Sequence, residues 1–306
     1  MKIGIDIGGT LIKLLMELQR NEPLYIESPG EILIIGSAKD TYLVMITFLR
    51  SNIKAFFGFL SKIKTQLDQK VVYSTGGGSY KYNAELQKVL APCKLKMENE
   101  FKSLAVGLEY FSSMLNEFYY NLKSGVRETV DLKKLFPFLL VNIGSGVSMS
   151  VYKGNSEIQP IGGSSNGGST FTGFASFMFP DITYKHAIQR IQQFYDSLPK
   201  DFDIYEPTLS NPVFQHIDDY LLFSFYLQVV ISIIENAVLT AKVLKLENIL
   251  VKGSFMNNKK LNNTLFSRIA DDMTDRHNWE AKIIFAEINS HFGAASCIIC
   301  EKADSI

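Results

Sequence analysis

Residues 3–18, with the sequence IGIDIGGTLIKLLMEL, decide the fold of this 306-residue chain. Two short apolar strands, at residues 3–7 and 11–18, flank a tight Gly-Gly turn. Glycines in such a turn let the backbone approach a phosphate closely and present N–H groups to it. An aspartate at the end of the first strand can hold Mg²⁺ through water, and a lysine in the second can meet nucleotide phosphates. The residues predicted to form this phosphate site are Asp6, Gly8, Gly9, Thr10 and Lys13, with Asp6 also the predicted metal ligand.

An ordinary Gly-Gly hairpin turn is the competing interpretation of residues 6–10, because such turns are common. The stretch is neither a Walker loop, which needs GxxxxGK[ST] at the start of a helix, nor a dinucleotide-binding GxGxxG. A second copy of the same plan makes it more specific. Residues 139–148, LLVNIGSGVS, again place glycines between two apolar strands, and the hydroxyls of Ser145 and Ser148 can donate to phosphate or substrate.

The two hairpins together predict the fold class. A strand, a glycine turn and a strand open each half of the chain, so the second half repeats the plan of the first. We therefore expect an α/β protein with the two-lobed actin-like ATPase fold, which is ribonuclease H-like, and a nucleotide cleft between lobes at residues 1–134 and 135–306. ATP with Mg²⁺ is the expected occupant of the cleft, and Gly144, Ser145 and Gly146 are expected to meet its phosphates.

Further elements and glycine motifs follow from local patterns. Gly253 and Ser254 end a predicted strand, where a glycine lets an adenine or ribose lie against the backbone; a plain strand-to-helix turn is the alternative. Residues 74–82, STGGGSYKY, carry three glycines that predict either an anion site or a segment that shapes the approach to the cleft.

The remaining elements follow from local patterns. Irregular structure is predicted at 116–134, and a Gly/Ser-rich loop at 162–173. Apolar spacing predicts helices at 52–67, 82–90, 101–115, 184–195, 216–244, 259–273 and 292–302, and further strands at 32–35, 42–49, 71–74, 248–251 and 282–286.

Composition argues against several classes of function. Lys+Arg and Asp+Glu both number 31, so we expect no nucleic-acid partner and no membrane binding through bulk charge. Three cysteines argue against a disulfide scaffold and for a reducing compartment. The N-terminal residues run straight into a strand without a signal-peptide pattern, so a cytoplasmic location is expected. Neither the Cys297–Cys300 pair nor the four histidines show metal-ligand spacing.

Several motifs, in order, resemble those of the eukaryotic-type (type II) pantothenate kinases. They are DIGGTLIKL at 6–14, TGGGSYKY at 75–82, LLVNIGSGVS at 139–148, GGSSNGGSTFTG at 162–173, DIY at 203–205 and GSF at 253–255. The resemblance implies the acetate and sugar kinase, Hsp70 and actin fold, and phosphorylation of pantothenate by Mg-ATP in the first step of coenzyme A biosynthesis. It also implies a homodimer, and inhibition by acetyl-coenzyme A or another acyl-coenzyme A.

The resemblance places the family's catalytic base at Glu100. The residues alone do not choose between Glu100 and Glu98, and either could be a solvated acid at a helix start. A carboxylate beside the substrate hydroxyl can orient it and accept its proton. The substrate-binding positions implied by the resemblance are Ser148, Gly163, Ser164, Gly167, Gly168 and Thr170.

Pro160 is the main departure from the family pattern. Counting from Ser148 without a gap, an active-site arginine of the family falls on Pro160, which has neither charge nor donor, and neither Gln159 nor Lys153 restores it. The leading hypothesis is an active pantothenate kinase. One alternative is a catalytically weakened member that binds nucleotide or acyl-coenzyme A as the partner of an active paralogue in a hetero-oligomer. Another is an actin-like phosphotransferase that acts on a sugar or acyl acid.

Overall fold

Two mixed β-sheets organise the fold. The structure, a computed structural model, describes residues 1–19, 28, 30–36, 41–114, 118–121, 127–199, 202–204, 217–286 and 290–303. Within these residues, the first sheet consists of β1 (Lys2–Ile7), β2 (Leu11–Gln19), β3 (Glu31–Gly36), β4 (Thr41–Leu49), β5 (Val71–Thr75) and β6 (Lys94–Met97). The second consists of β7 (Phe118–Asn121), β8 (Arg127–Thr129), β9 (Phe138–Ile143), β10 (Val147–Gly154), β11 (Glu157–Ser164), β12 (Asn248–Lys252) and β13 (Lys282–Ala286).

The two sheets share one topology, which explains the repeated sequence plan. Their strand orders are β3-β4-β2-β1-β5-β6 and β11-β10-β9-β12-β13-β7-β8. In each, an antiparallel hairpin (β1–β2 or β9–β10) has a third antiparallel strand on one side (β4 or β11). On the other side lie two parallel strands, β5 and β6 or β12 and β13. This repeated ribonuclease H-like plan confirms the expected two-lobed α/β fold.

Ten helices in the described residues cover the sheets. They are α1 (Ile53–Ile63), α2 (Gly77–Lys81), α3 (Asn83–Leu90), α4 (Glu100–Met114), α5 (Gly168–Met178), α6 (Tyr184–Ser197), α7 (Ile217–Leu244), α8 (Lys259–Leu261), α9 (Ser267–Arg276) and α10 (Phe292–Ala303). A π-helical turn, Asn262–Phe266, joins α8 to α9. Short 3-10 helices lie at Arg50–Asn52, Lys64–Gln66, Leu132–Lys134 and Ser254–Met256.

The core has three parts, which define the layers. On the outer face of the first sheet, Ile3 and Ile5 pack with α1 and α3. On the outer face of the second, Val141 and Val251 pack with α5, α6, α7 and α9. Between the sheets, α4 and α10 pack together and contribute to a core that takes residues from both sheets. Because helices cover both faces of the central strands, those strands are apolar along most of their length.

Two segments cross the expected lobe boundary at residue 134. The β7–β8 hairpin pairs with β13 of the second sheet, and α10 returns from the end of the chain to pack on β1 and β5 of the first. Gly4 allows this return, since a Cβ at Gly4 would lie 2.0 Å from the carbonyl oxygen of Ala294. The boundary itself stays a prediction.

Helix α7 is long and apolar enough to cross a membrane by length and composition alone. Core helices pass the same test, and the buried side chains of α7, such as Phe223, Val230 and Ile234, belong to the core of the second lobe. The sequence expectation of a buried helix is therefore confirmed for its inward face. Residue 216, where the pattern starts this helix, lies outside the described residues.

Two sequence expectations were wrong. The stretch expected to be irregular, 116–134, contains β7 and β8, which extend the second sheet at its edge. The loop expected at 162–173 is divided between β11, which runs to Ser164, and α5, which begins at Gly168. Pro160 fits inside β11 because an edge strand leaves one set of N–H positions unpaired. The DIY motif is described only at Asp203 and Ile204.

Candidate active site

A cavity of about 300 Å³ lies where the two lobes meet. The strands β1, β5, β9 and β12 all end there, and the carboxyl ends of parallel strands are where α/β folds bind ligands. The lining residues are Asp6, Gly8, Gly9, Thr10, Leu11, Lys13, Thr75, Glu100, Phe101, Leu104, Asn142, Gly144, Ser145, Gly146, Val147, Ser148, Ser164, Lys252, Ser254, Phe292 and Gly293.

The first glycine turn contributes all five of its predicted phosphate-site residues to this lining. Asp6 and Lys13 pair in register on β1 and β2, and Lys13 Nζ lies 3.8 Å from Asp6 Oδ2. Both side chains are mostly buried, with 18% of Lys13 and 16% of Asp6 exposed. The backbone N–H of Gly8 donates to the Leu11 carbonyl at 2.9 Å and closes the turn.

Asp6 is enclosed by two glycines from other elements. A Cβ at Gly76 would lie 2.7 Å from Asp6 Oδ1, and Gly76 has a φ of +87°, which favours glycine. A Cβ at Gly293 would lie 2.9 Å from Asp6 Oδ2. The glycine triplet therefore shapes the cleft by letting the backbone after β5 press against the end of β1. These contacts favour the shaping interpretation over an anion site.

The second glycine turn is held by the start of α5. The N–H of Gly168 donates to the Gly144 carbonyl at 2.9 Å, and Ser169 Oγ donates to the Ser145 carbonyl at 2.6 Å. Ser145 Oγ in turn lies 2.7 Å from Thr10 Oγ1 of the first turn. The two turns thus meet directly across the cleft.

The predicted substrate positions divide into two groups. Ser148 and Ser164 line the cavity. Gly163, Gly167 and Gly168 lie behind it, packed on the second hairpin: a Cβ at Gly163 would lie 2.2 Å from the Val147 carbonyl oxygen. Thr170 is also outside the lining, and its hydroxyl donates to the Ser165 carbonyl at 2.9 Å.

The predicted adenosine motif is divided in the same way. Ser254 lines the cavity, whereas Gly253 lies behind it with a φ of +124°. A Cβ at Gly253 would lie 2.1 Å from the Ile143 carbonyl oxygen. For Gly253, the contacts show a close approach between β12 and β9, and its role toward a nucleotide stays a prediction.

Glu100 is the carboxylate that reaches the cavity from α4. Its side chain is open to the cleft, yet the walls surround the carboxyl group, so that burial, and then Asp6, raise its pKa. The positive charges of Lys13 and Lys252 lower the pKa of Glu100 and so partly offset this increase. Glu98 does not line the cavity; its backbone bonds to Ser74 and Thr75 instead. The structure therefore brings Glu100, and not Glu98, to the site.

Sequence reasoning missed Lys252, and it gave no role to Thr75 and Asn142, which lie within the quoted motifs and line the cavity. Lys252 ends the apolar strand β12, is only 3% exposed and lines the cavity. A polar residue at the carboxyl end of a central strand is the signal that could have found it. Pro160, in contrast, is exposed on β11 and outside the lining, so that position brings no cation to the cavity.

A family model described as Fumble matches residues 2–202, a stretch that contains both glycine turns and Glu100. The chain belongs to the Fumble family. Membership confirms the resemblance to the type II pantothenate kinases that the motifs indicate.

Two curated relatives of this Fumble-family chain are pantothenate kinases. The pantothenate kinase of Schizosaccharomyces pombe is 30% identical over 201 residues, which cover 61% of this chain and 48% of the relative. Pantothenate kinase 2 of rice, Oryza sativa subsp. japonica, is 28% identical over 203 residues, which cover 58% of this chain and 22% of the relative. The chain therefore spans about half or less of the length of these relatives.

A solved structure resembles the whole Fumble-family chain in fold. The crystal structure of glucokinase from Balamuthia mandrillaris, in complex with glucose, aligns with a TM-score of 0.54 and 11% identity. The alignment covers 98% of this chain and 93% of the glucokinase. At this identity, the likeness shows the two-lobed fold alone.

Proposed function

We propose that this chain is a pantothenate kinase, which transfers the γ-phosphoryl group of ATP to the 4′-hydroxyl of pantothenate. The observation that carries the proposal is the cavity in which one glycine turn from each lobe meets Asp6, Lys13 and Glu100. Family membership supports the substrate, as do the names of the relatives in fission yeast and rice.

The two glycine turns suit the phosphates of ATP. Gly9 and Thr10 in the first turn, and Ser145 and Gly146 in the second, offer backbone N–H groups and hydroxyls from opposite sides of the cavity. The N–H groups of Gly8 and Gly144 close their own turns. Lys13 adds a cation, and phosphoryl transfer depends mainly on such positioning and charge stabilisation.

The site also fits Mg²⁺. Asp6 is a carboxylate on the cavity wall, and Mg²⁺ is usually held by one or two carboxylates with substrate phosphates and water. No cluster of three or more His, Cys, Asp and Glu is present in the described part of the chain. Asp6 would hold the ion, which would supply positive charge to the phosphate oxygens.

Glu100 is proposed to act as the base. Its carboxylate accepts the proton of the 4′-hydroxyl while the hydroxyl oxygen bonds to the γ-phosphorus. The bond between that phosphorus and the β,γ-bridging oxygen breaks, and its electron pair leaves with ADP. Because burial raises the pKa of Glu100, the group is a stronger base than an ordinary carboxylate.

A direct assay of the acceptor tests this function. Purified protein is incubated with Mg-ATP and either pantothenate or glucose, and products are identified by mass. We expect 4′-phosphopantothenate and no phosphorylated glucose. A product with glucose alone would contradict the proposal and favour the sugar-kinase alternative.

A second candidate is a binding-only partner subunit in a hetero-oligomer with an active paralogue. The exposed position of Pro160 favours it, because β11 brings no cation to the cavity. Absence of product with either acceptor, together with a melting temperature that ATP or acetyl-coenzyme A raises, would support this candidate. A homodimer, inhibition by acyl-coenzyme A and a cytoplasmic location are proposals that rest on the family resemblance and the composition.

A further inference from the structure

Lys252 occupies an unusual place for a lysine. It ends β12, a strand whose preceding residues Ile249, Leu250 and Val251 are fully buried, and it pairs in register with Asn142 of β9. Its own side chain is 3% exposed, yet it lines the cavity between the lobes. A buried lysine is unfavourable unless its charge meets a partner, and an apolar residue would fill such a strand end without that cost.

The charges around Lys252 belong to the cavity. Asp6 and Glu100 favour its charged form, and Lys13 opposes it. Its ammonium group also lies 4.4 Å from the centre of the Phe292 ring, at the start of α10, where a ring face attracts a cation. Burial and Lys13 lower its pKa well below the usual range, so an anion entering the cavity would stabilise the charged form.

The cavity has one lysine on each side. Among the lining residues, Lys13 and Lys252 are the two cations. Lys13 belongs to β2 of the first sheet and Lys252 to β12 of the second. The strand that carries Lys13 lies next to β1, and the strand that carries Lys252 lies next to β9. β1 and β9 correspond to each other, because each opens its repeat and ends in a glycine turn.

We propose that Lys252 is a second phosphate-contacting cation, which meets the transferring phosphoryl group from the second lobe while Lys13 meets it from the first. The inference rests on the proposed kinase function. Charge develops on the phosphoryl oxygens during transfer, and it favours the charged form of an amine that β12 already holds at the cavity wall, so little reorganisation is needed. A structural lysine would serve only to neutralise Asp6 and Glu100 in the resting protein.

Three variants test the inference. Lys252→Met keeps the length of the side chain and removes its charge, Lys252→Ala opens space for an added amine, and Lys153→Met is the control. Lys153 lies on β10 of the same sheet but is exposed and paired with Glu157 at the surface. For each variant, kcat and KM for pantothenate and ATP are measured together with the melting temperature.

We expect Lys252→Met to lower kcat by about 100-fold or more, with the KM for pantothenate within about threefold and the melting temperature unchanged or raised. Ethylammonium chloride should restore part of the activity of Lys252→Ala, and sodium chloride at the same ionic strength should not. Lys153→Met should match the wild type. A kcat for Lys252→Met within about threefold of the wild type would overturn the inference. So would a loss of activity in both Lys252 variants that comes with a lower melting temperature and no rescue by the amine.

A wild type that makes no phosphorylated product would count against the proposed kinase function and not against Lys252. The inference then rests on the increase in melting temperature that Mg-ATP causes. A smaller increase in Lys252→Met than in Lys153→Met would support phosphate contact, and equal increases would overturn it.

Discussion

The hydroxyl groups of Thr10 and Ser145 lie 2.7 Å apart, although the two residues are separated by 135 positions in the chain. Each belongs to the glycine turn that opens its repeat, so this hydrogen bond joins the two lobes at corresponding points. Phosphates that lie between the turns would have to replace it with contacts of their own. The pair therefore links the repeated fold to the proposed binding of ATP.

Ser145→Ala should weaken ATP binding with little effect on stability. A neutral hydrogen bond contributes about 0.5–1.5 kcal/mol, so the KM for ATP should rise by up to about 10-fold. The melting temperature should not change, because the hydrogen bond between Thr10 and Ser145 is exposed to solvent. Ser113→Ala is the matched control, since the Ser113 hydroxyl also bonds within the chain but lies at the far end of α4. Equal ATP KM values in the two variants would refute a role for Ser145 in binding.

Gly76→Ala should destabilise the protein, and Gly77→Ala should not. At Gly76 the φ of +87° is unfavourable for alanine, and its Cβ would lie 2.5 Å from the Ile7 carbonyl oxygen. We expect a loss of about 2–4 kcal/mol in the free energy of unfolding. Gly77 has open space around its Cβ position and should stay within about 0.5 kcal/mol of the wild type. Urea unfolding measures both, and equal losses would contradict this account of the triplet.

The sequence predicted the two hairpins that repeat in the two halves of the chain. The strands β1, β2, β9 and β10 were found because apolar runs flank glycine turns. The hairpin β7–β8 was missed because its strands are short, four residues in β7 (Phe118–Asn121) and three in β8 (Arg127–Thr129). They are stabilised by pairing with β13 at the edge of the sheet. The aromatic residues of β7 do favour a strand, but its partner lies more than 150 residues further along the chain, and no local pattern shows that pairing.

The site was predicted less completely than the fold. Glycine turns carry a local signal, so Gly8, Gly9 and Ser145 were identified as candidates. Lys252 carries only a weak signal, its place at the carboxyl end of an apolar strand, because a lysine at a strand end is usually a surface residue. In the structure Lys252 is buried and lies over the Phe292 ring of α10. The position of α10 itself depends on a return to the first lobe that the order of elements does not reveal. The residues alone did not separate Glu100 from Glu98. The family resemblance chose Glu100, and the structure places Glu100, and not Glu98, in the lining of the cavity.

The pH dependence of the reaction should report Glu100. Burial and Asp6 raise its pKa above the ordinary 4.5, and only the carboxylate form can accept a proton. The rate constant kcat/KM should therefore increase with pH through an apparent pKa above 4.5. Residual activity of Glu100→Gln serves as the control, since it keeps the titrations of ATP and pantothenate but should lack this limb. A limb that persists in the variant would assign the titration to another group.

The stability of the protein in acid should depend on His291. Burial, and then Lys13, lower its pKa to about 3, whereas the unfolded chain takes up the proton near pH 6.5. Below pH 6.5 the unfolded state binds the extra proton, so stability falls by about 1.4 kcal/mol per pH unit until about pH 3. We expect this decrease in the wild type, and we expect the contribution of residue 291 to be absent in His291→Asn.

Asparagine suits this test because His291 has a φ of +71°, which asparagine tolerates better than most residues. The measurement is the free energy of unfolding in urea at pH 6.5, 5.5 and 4.5 for both proteins. Carboxylates contribute equally to both, so the difference in slope isolates the histidine. Parallel slopes would show that folding does not lower the pKa of His291 and would contradict the prediction.

The yield of 4′-phosphopantothenate from Glu100→Gln, set against that from Glu98→Gln, tests the central claim most directly. Both substitutions remove one negative charge near the start of α4, but only Glu100 lines the cavity. We predict that Glu100→Gln loses about 100-fold or more of the activity, that Glu98→Gln stays within about threefold, and that Mg-ATP raises the melting temperature of both. Equal activity in the two variants, or a greater loss in Glu98→Gln, would contradict the assignment of this cavity as the site of phosphoryl transfer.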